Sequence, residues 1–454
     1  MSDLLAARSQ MAMSLGFHIL FAVVGIGMPA LMVIAEYRYQ KHGDPLLKEL
    51  AKRWAKGTAI LFAVGAVSGT VLSFELGLLW PTFMEHAGGI IGMPFSLEGL
   101  AFFTEAIFLG IYLYAWDRIS PRAHVAAGVV VAVSGALSGV FVVTANAWMN
   151  APTGFTVTNG VIGNVDPIAA MLNPAAFTQV LHMTLAAYAA TGFATAGIHA
   201  IALLRNTPHR VFHRYALQIG LLVGVPAALL QPLSGDLSAR HVAEYQPVKF
   251  AAMEAHHHTG PMPFVIGGWP DVTTGTNRFA IEIPGAVSLV MTGDPNASIP
   301  GLDSVVEADR PPVTIVHVAF QIMIACGVVM GFVGLWTIVR IVRRKRGRGV
   351  SLPNDRLYLR MLAVTAPLGF VAVEAGWTVT EVGRQPWIVQ GFMRTADAVS
   401  PVPGLVVPFV GFTLLYIGLA IAVVWLLYRQ IIKTGVGANT RAGFTEELPV
   451  PVRS

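Results

Sequence analysis

Long apolar runs separated by short polar breaks dominate the sequence, and crossing a bilayer takes about 20 mainly apolar residues. Nine runs qualify, at about 11–36, 57–80, 94–116, 123–148, 177–203, 214–234, 312–339, 359–381 and 405–428. In lipid the backbone must satisfy its own hydrogen bonds, so runs of this length predict helices. The pattern predicts an all-α integral membrane protein of about nine transmembrane helices, one bundle over 1–434 with a polar cytoplasmic tail at 435–454. Two breaks on one side are long. One, 149–176, holds no Lys or Arg; the other, 235–311, is rich in Gly, Pro and acidic residues. Loops of that length commonly carry function. The sequence shows no internal repeat.

Composition agrees. The 454 residues are 54% hydrophobic and 12% charged, with mean hydropathy +0.63, whereas soluble domains carry about a quarter charged residues. Lys and Arg fall into two sets on alternate breaks. One set holds 23 and the other seven, namely Arg8, Arg240, Lys249, Arg278, Arg310, Arg384 and Arg394. The positive-inside rule then predicts a periplasmic N-terminus and a cytoplasmic C-terminus. The net charge of +5 reflects this clustering beside spans and gives no sign of nucleic acid as a partner. The first apolar run is too long for a signal-peptide core, and its cations Arg38, Lys41 and Lys48 follow it, so it reads as a retained helix. Cys326 is the single cysteine, which excludes an internal disulfide or a cysteine-based metal site.

Ionisable or ligating side chains inside a span are costly and mark function by default. They are His18, Glu75, Glu98, Glu105, His182, His317, Met323, Glu374 and Glu381. At about 1.5 Å per residue, His18, His182 and Glu98 lie roughly 10 Å or less from their outer ends, and Met323 and Glu105 roughly 16 Å. Possible metal ligands thus gather in the outer half of the bilayer. Glu98 and Glu105 are seven apart on one helix face, and Glu374 and Glu381 repeat the spacing. Stacked carboxyls of this kind suit proton transfer, or else each is a neutral, hydrogen-bonded interior group. A His/Met pair is a known low-spin haem ligation. Spacing alone singles out neither His18 and His182 from satisfied interior histidines nor Met323 from the other methionines. His256, His257 and His258 form an outer-loop run that reads as solvated, because three adjacent side chains rarely converge.

Several strings resemble one family, subunit I of the cytochrome bd quinol oxidases. They are Gly383-Arg384-Gln385-Pro386-Trp387, preceded by Glu374-Ala375-Gly376-Trp377 and Glu381, and Gln246 through Glu254 in the outer loop. Also similar are Glu98 through Glu105, Ala145 through Met149, and Gly16-Phe17-His18. The likeness runs from about residue 8 to 430.

The resemblance implies a quinol:oxygen oxidoreductase of the bacterial inner membrane. It would oxidise quinol outside and reduce O2 to water at a di-haem site with cytoplasmic protons, an electrogenic reaction without pumping. It implies His182 and Met323 as axial ligands of a low-spin haem b. His18 and Glu381 would ligate the other two haems, a high-spin haem b and haem d or a further haem b, in an order left open. Glu98 and Glu105 would lie on the proton route, with Ser138 as a further step. Lys249 and Glu254 would bind and deprotonate quinol. Trp377, Arg384 and Trp387 would line the cofactors, with Arg384 and Trp387 steadying propionates and the electron path. A second large membrane subunit, small single-span subunits and membrane lipid are the implied partners.

Two departures stand out. Gln321 occupies a position where the family often has Arg, so a lower haem potential is expected. The loop is short, and Phe74 through Trp80 is similar to the cyanide-insensitive branch, which puts haem d in doubt and leaves haem d and a second haem b as open alternatives. A secondary transporter would place its carboxyls at the midplane with inverted repeats, which the sequence lacks. A bis-His four-helix cytochrome needs paired histidines, yet His182 and His199 are unmatched elsewhere. A purely structural assembly subunit would not need the ligand set or the quinol-loop string.

Overall fold

The structure, a computed structural model, describes residues 1–158, 161–205, 209–345 and 355–429. The expected tail at 435–454 lies outside them. Among the described residues nine segments are long and apolar enough to cross a membrane. The first six are α1 (Asp3–His42), α2 (Pro45–Leu79), α3 (Pro81–Tyr114), α4 (Pro121–Asn150), α5 (Ala176–Leu204) and α6 (Arg210–Tyr245). A short helix α7 (Pro247–Met253) and an antiparallel hairpin of β1 (Phe264–Asp271) and β2 (Thr276–Ile283) occupy the larger loop. The chain returns through α8 (Val313–Lys345), α9 (Arg356–Thr365), α10 (Leu368–Val382) and α11 (Val406–Leu427). We call the end carrying the two long loops the outer end.

Local chemistry sets the helix starts. Ser2, Asp44 and Ser120 cap α1, α2 and α4 by accepting backbone N–H bonds, and Pro45 and Pro121 open α2 and α4, where a missing N–H costs nothing. Gly43 ends α1 with φ 72°, a left-handed conformation that glycine adopts without a Cβ penalty. Only Gly43 and Asp44 separate α1 from α2, so the two run antiparallel side by side.

The expected single span at 359–381 is two helices. Pro367 has no N–H to donate and its ring obstructs the preceding turn, so α9 stops at Thr365 and α10 restarts at Leu368. The expected span at 214–234 continues to Tyr245. Its last turns carry Asp236, Arg240 and Glu244, polar residues that an apolar-run criterion discards.

Two clusters fill the inner half. One joins Leu31, Leu50, Tyr112 and Ile219 from α1, α2, α3 and α6. The other joins Phe193, Leu221, Met330 and Tyr358 from α5, α6, α8 and α9. Gly192 lets α5 and α6 touch backbone to backbone, since a Cβ there would stand 2.5 Å from the Cα of Gly224. The outer half is packed differently. There a hydrophobic cluster of Leu79, Trp80, Phe83, Trp148 and Val389 packs beside buried polar side chains such as Glu75, Asn150 and Arg384.

Candidate functional site

On the α1/α2 seam, His18 Nδ1 lies 2.9 Å from Ser68 Oγ. The Ser68 hydroxyl also has Val64 O at 3.0 Å as an acceptor, and with its hydrogen there Oγ accepts from Nδ1–H and leaves the lone pair on Nε2. The α5/α6 seam repeats the device: His182 Nδ1 lies 2.9 Å from Ser234 Oγ, and Ser234 donates to Gln231 O at 3.0 Å. Fixing the tautomer through the other ring nitrogen is how proteins present imidazole to a metal. The Gln231 amide nitrogen stands 3.3 Å from both nitrogens of His182 and donates to His182 O at 3.1 Å.

Glycines seat the candidate ligands. A Cβ on Gly69 would meet His18 Cε1 at 3.0 Å, one on Gly235 would meet His182 Cε1 at 3.5 Å, and one on Gly376 would meet Met323 Sδ at 3.1 Å. Helix α10 joins the ligands of two seams. Gly376 faces Met323 of α8, while Val373 and Trp377, a turn apart on α10, pack in the cluster that holds Met183, the neighbour of His182. Met323 thus seats on Gly376 of α10, and α10 packs against α5 one residue from His182.

Glu381, at the outer end of α10, has both oxygens engaged. Asn146 Nδ2 donates to Oε1 at 2.5 Å and Arg384 Nη2 to Oε2 at 2.6 Å. Arg384 is 2% exposed, yet its Nε and Nη1 have no partner. Buried donors without acceptors are rare because each costs free energy. They fit carboxylates such as porphyrin propionates, and imidazoles anchored through Nδ1 fit porphyrin iron at Nε2. The residues present therefore match the haem that the sequence implies. Trp387 N–H donates to Arg384 O at 3.0 Å, and the Arg394 guanidinium covers the Trp387 ring at 4.9 Å.

Glu98 accepts from Ser138 at 3.3 Å, and Glu105 stands against Gly135, whose Cβ would lie 3.1 Å from Oε2. Both carboxyls of α3 therefore face α4, as their spacing predicts. Glu105 is 4% exposed and its Oε1 has no partner. The other stacked pair divides: Glu374 faces Gly16 of α1, whereas Glu381 faces Asn146 of α4.

In the loop, Lys249 Nζ donates to Asn150 Oδ1 at 2.9 Å and Gln246 Oε1 at 3.2 Å. Burial pulls the ammonium down to about 7; Arg384 adds to the effect and Glu381 opposes it. Glu254 is also buried, with Oε2 unpartnered, and burial pushes its carboxyl up to about 8. Both are poised near neutrality. Lys249 packs on Gly383, where a Cβ would lie 2.9 Å from Cε.

His317 is not presented as a ligand, because its nitrogens face Met253 O and Gly267 O. The histidine run diverges as its adjacency predicts but is not solvated throughout: His256 is buried on Ile299 O where the loop folds over it, His257 is half-buried on Asn277, and only His258, near Asp303, is exposed. Among the described residues no group of three or more His, Cys, Asp and Glu converges as a metal site. Sequence reasoning missed Ser68 and Ser234, whose partners are 50 and 52 residues away. It also missed Asn150, which joins α4 to Lys249.

Serine-anchored imidazoles in a membrane interior, beside a buried guanidinium with orphaned donors, fit the class of membrane-embedded haem electron-transfer proteins. The sequence model described as cytochrome bd terminal oxidase subunit I matches residues 6–435, and the chain belongs to that family. A Bacillus subtilis (strain 168) protein bearing the name of a cytochrome bd menaquinol oxidase subunit I is 37% identical over 94% of this chain and 96% of its own. Subunit 1 of a cytochrome bd ubiquinol oxidase from the same strain is 33% identical over 95% and 94%. The bd oxidase structure from Geobacillus thermodenitrificans superposes with TM-score 0.87 at 36% identity, covering 96% of this chain and 99% of that one. The protein is a haem-bearing quinol:oxygen oxidoreductase subunit of the bacterial inner membrane, and it acts with a second subunit.

Proposed function

We propose that quinol is oxidised at the outer loop by Lys249 and Glu254, and that His182 with Met323, His18 and Glu381 hold three haems between that loop and the bundle. The observation that carries this reading is the contact of Lys249 with Gly383. It puts the quinol-loop cation against the turn that bears Glu381 and Arg384.

Lys249 has two protons committed to Asn150 and Gln246, and the third is free for a quinol oxygen. Glu254, once ionised, takes the hydroxyl proton on its unpartnered Oε2. Each quinol yields two electrons and two protons, so one O2 consumes two quinols and four protons on its way to two waters. When bound, the haems carry those electrons and supply the iron at which oxygen is reduced: a low-spin haem b on His182 and Met323, a high-spin haem b, and haem d or a further haem b. Arg384 offers Nε and Nη1 to propionates, and Trp377 and Trp387 flank it along the α10 turn.

With the N-terminus periplasmic and the C-terminus cytoplasmic, Glu254 releases protons outside. Glu105 and Glu98, with Ser138 bonded to Glu98, pass protons from the cytoplasmic side. Opposite release and uptake separate charge without a pump, against about 2.3 kcal/mol per charge at 100 mV. The test is the reduced spectrum of the assembled oxidase carrying Met323→Leu. The expected result is loss of the low-spin signal or its conversion to high-spin, and an unaltered spectrum would overturn the ligand set. Haem extraction decides between haem d and a further haem b.

A further inference from the structure

Helix α8 carries a row of polar side chains at 314, 317 and 321, spaced to share one helix face. They bond the free edge of β1, which otherwise pairs only with β2. Gln321 Nε2 donates to Val265 O at 2.8 Å, and Gly267 N donates back to Gln321 Oε1 at 3.0 Å. Thr314 reaches Pro270 O at 3.4 Å. His317, fully buried, lies between them, with Nε2 2.9 Å from Gly267 O.

The other nitrogen of His317 does something the edge does not require. Nδ1 stands 2.8 Å from Met253 O. Met253 ends α7 and Glu254 is its cap residue, so that carbonyl is one of the orphan acceptors that a helix end leaves unpaired. It also belongs to the peptide bond that carries Glu254. One buried ring on the helix of Met323 thus faces both the peptide of the quinol-loop carboxyl and the hairpin, and in its Nδ1–H form it donates to Met253 O. The end of α7 thereby gains a contact with the bundle beyond that of Lys249 with Asn150.

We infer that His317 is the positioning residue of the quinol site: through Met253 O it sets where the Glu254 carboxyl stands, while Gln321 holds the hairpin that backs it. The inference rests on the reading of Glu254 as a quinol residue. It also gives the glutamine two positions before Met323 a structural role of its own, since its amide serves as both donor and acceptor for a strand edge.

The two ring contacts are separable. An asparagine amide reaches the place of Nδ1, and a glutamine amide the place of Nε2. The test measures KM and kcat for a short-chain quinol in the assembled two-subunit oxidase with His317→Asn, His317→Gln, His317→Leu and Glu254→Gln. Losing one such bond corresponds to roughly fivefold in an equilibrium. His317→Leu and His317→Gln are expected to raise KM roughly fivefold or more, with kcat and the dithionite-reduced spectrum kept. His317→Asn is expected to restore KM. Equal KM values for Asn and Gln, or an unchanged KM in Leu, overturn the positioning role. If Leu fails to assemble, the Asn and Gln pair still decides. If Glu254→Gln retains full kcat and KM, the quinol-site reading falls and the inference with it. Impaired Glu254→Gln beside an unaffected His317 series overturns the positioning role alone.

Discussion

His182 Nδ1 and Ser234 Oγ lie 2.9 Å apart across the α5/α6 seam, and Gln231 O is an acceptor for the serine hydrogen. With the hydrogen there, the ring donates from Nδ1 and carries its lone pair on Nε2. His18 and Ser68 reproduce it on α1 and α2. Two unrelated seams converge on one chemical solution, the one that a metal-binding imidazole needs.

Ser234→Ala removes the acceptor for Nδ1–H and frees the ring to rotate. Loss of such a partner costs about 10- to 100-fold in metal affinity. The low-spin haem is expected to be depleted or easily lost, and Ser68→Ala to deplete a different haem. Pyridine haemochrome stoichiometry with reduced spectra measures both. Full occupancy with native spectra in both variants would show that the serines do not orient the ligands.

Quinol oxidation should depend on pH through Glu254. Its folded carboxyl is raised to about 8, so below that pH it is protonated and holds no site for the quinol proton. The basic form grows as pH rises through about 8, and kcat/KM should climb over that range. Glu254→Gln should lower the rate and remove this limb. A variant that keeps the wild-type pH profile would assign the limb to another group.

Glu105→Leu removes a carboxyl that faces Gly135 of α4 and has no hydrogen-bond partner on Oε1. Oxygen reduction is expected to slow by an order of magnitude or more, within the ~10²–10⁴-fold range of positioned proton transfer. The low-spin haem should still fill and reduce with quinol. Stopped-flow spectra separate the two steps, and undiminished oxygen turnover would take Glu105 off the route.

Gly383→Ala places a methyl 2.9 Å from Lys249 Cε and 2.3 Å from Val379 O. Neither Lys249 nor the α10 terminus can remain where it is. Quinol turnover is expected to fall at least several-fold, because Lys249 is pushed off Asn150 and Gln246. Steady-state turnover with dithionite-reduced spectra checks this. Native turnover would mean that the lysine site tolerates the displacement.

The number and order of the spans were legible because lipid forces unpaired backbone into apolar helices, a constraint that acts on short windows. The break at Pro367 was visible as a residue but not as a consequence, since an apolar run on both sides masked it. The stacking of Glu98 and Glu105 was legible because seven residues return to one helix face. The same spacing misled at Glu374 and Glu381, which face different helices, because periodicity gives a face and not the neighbour that covers it. The family strings pointed to Lys249, Glu254, Glu381 and Arg384. No string pointed to Ser68, Ser234, Asn150 or the loop contacts of His317.

By itself the sequence determined what the bilayer dictates: which segments are helical, which side chains must justify their burial, and which strings resemble a known oxidase subunit. Tertiary structure decided which nitrogen of each histidine is free, which donors of Arg384 lack acceptors, and that Lys249 rests on the turn after α10. Helix formation and span length depend on residues a few positions apart. A tautomer or an orphaned donor depends on atoms that chain folding brings together from tens or hundreds of residues away.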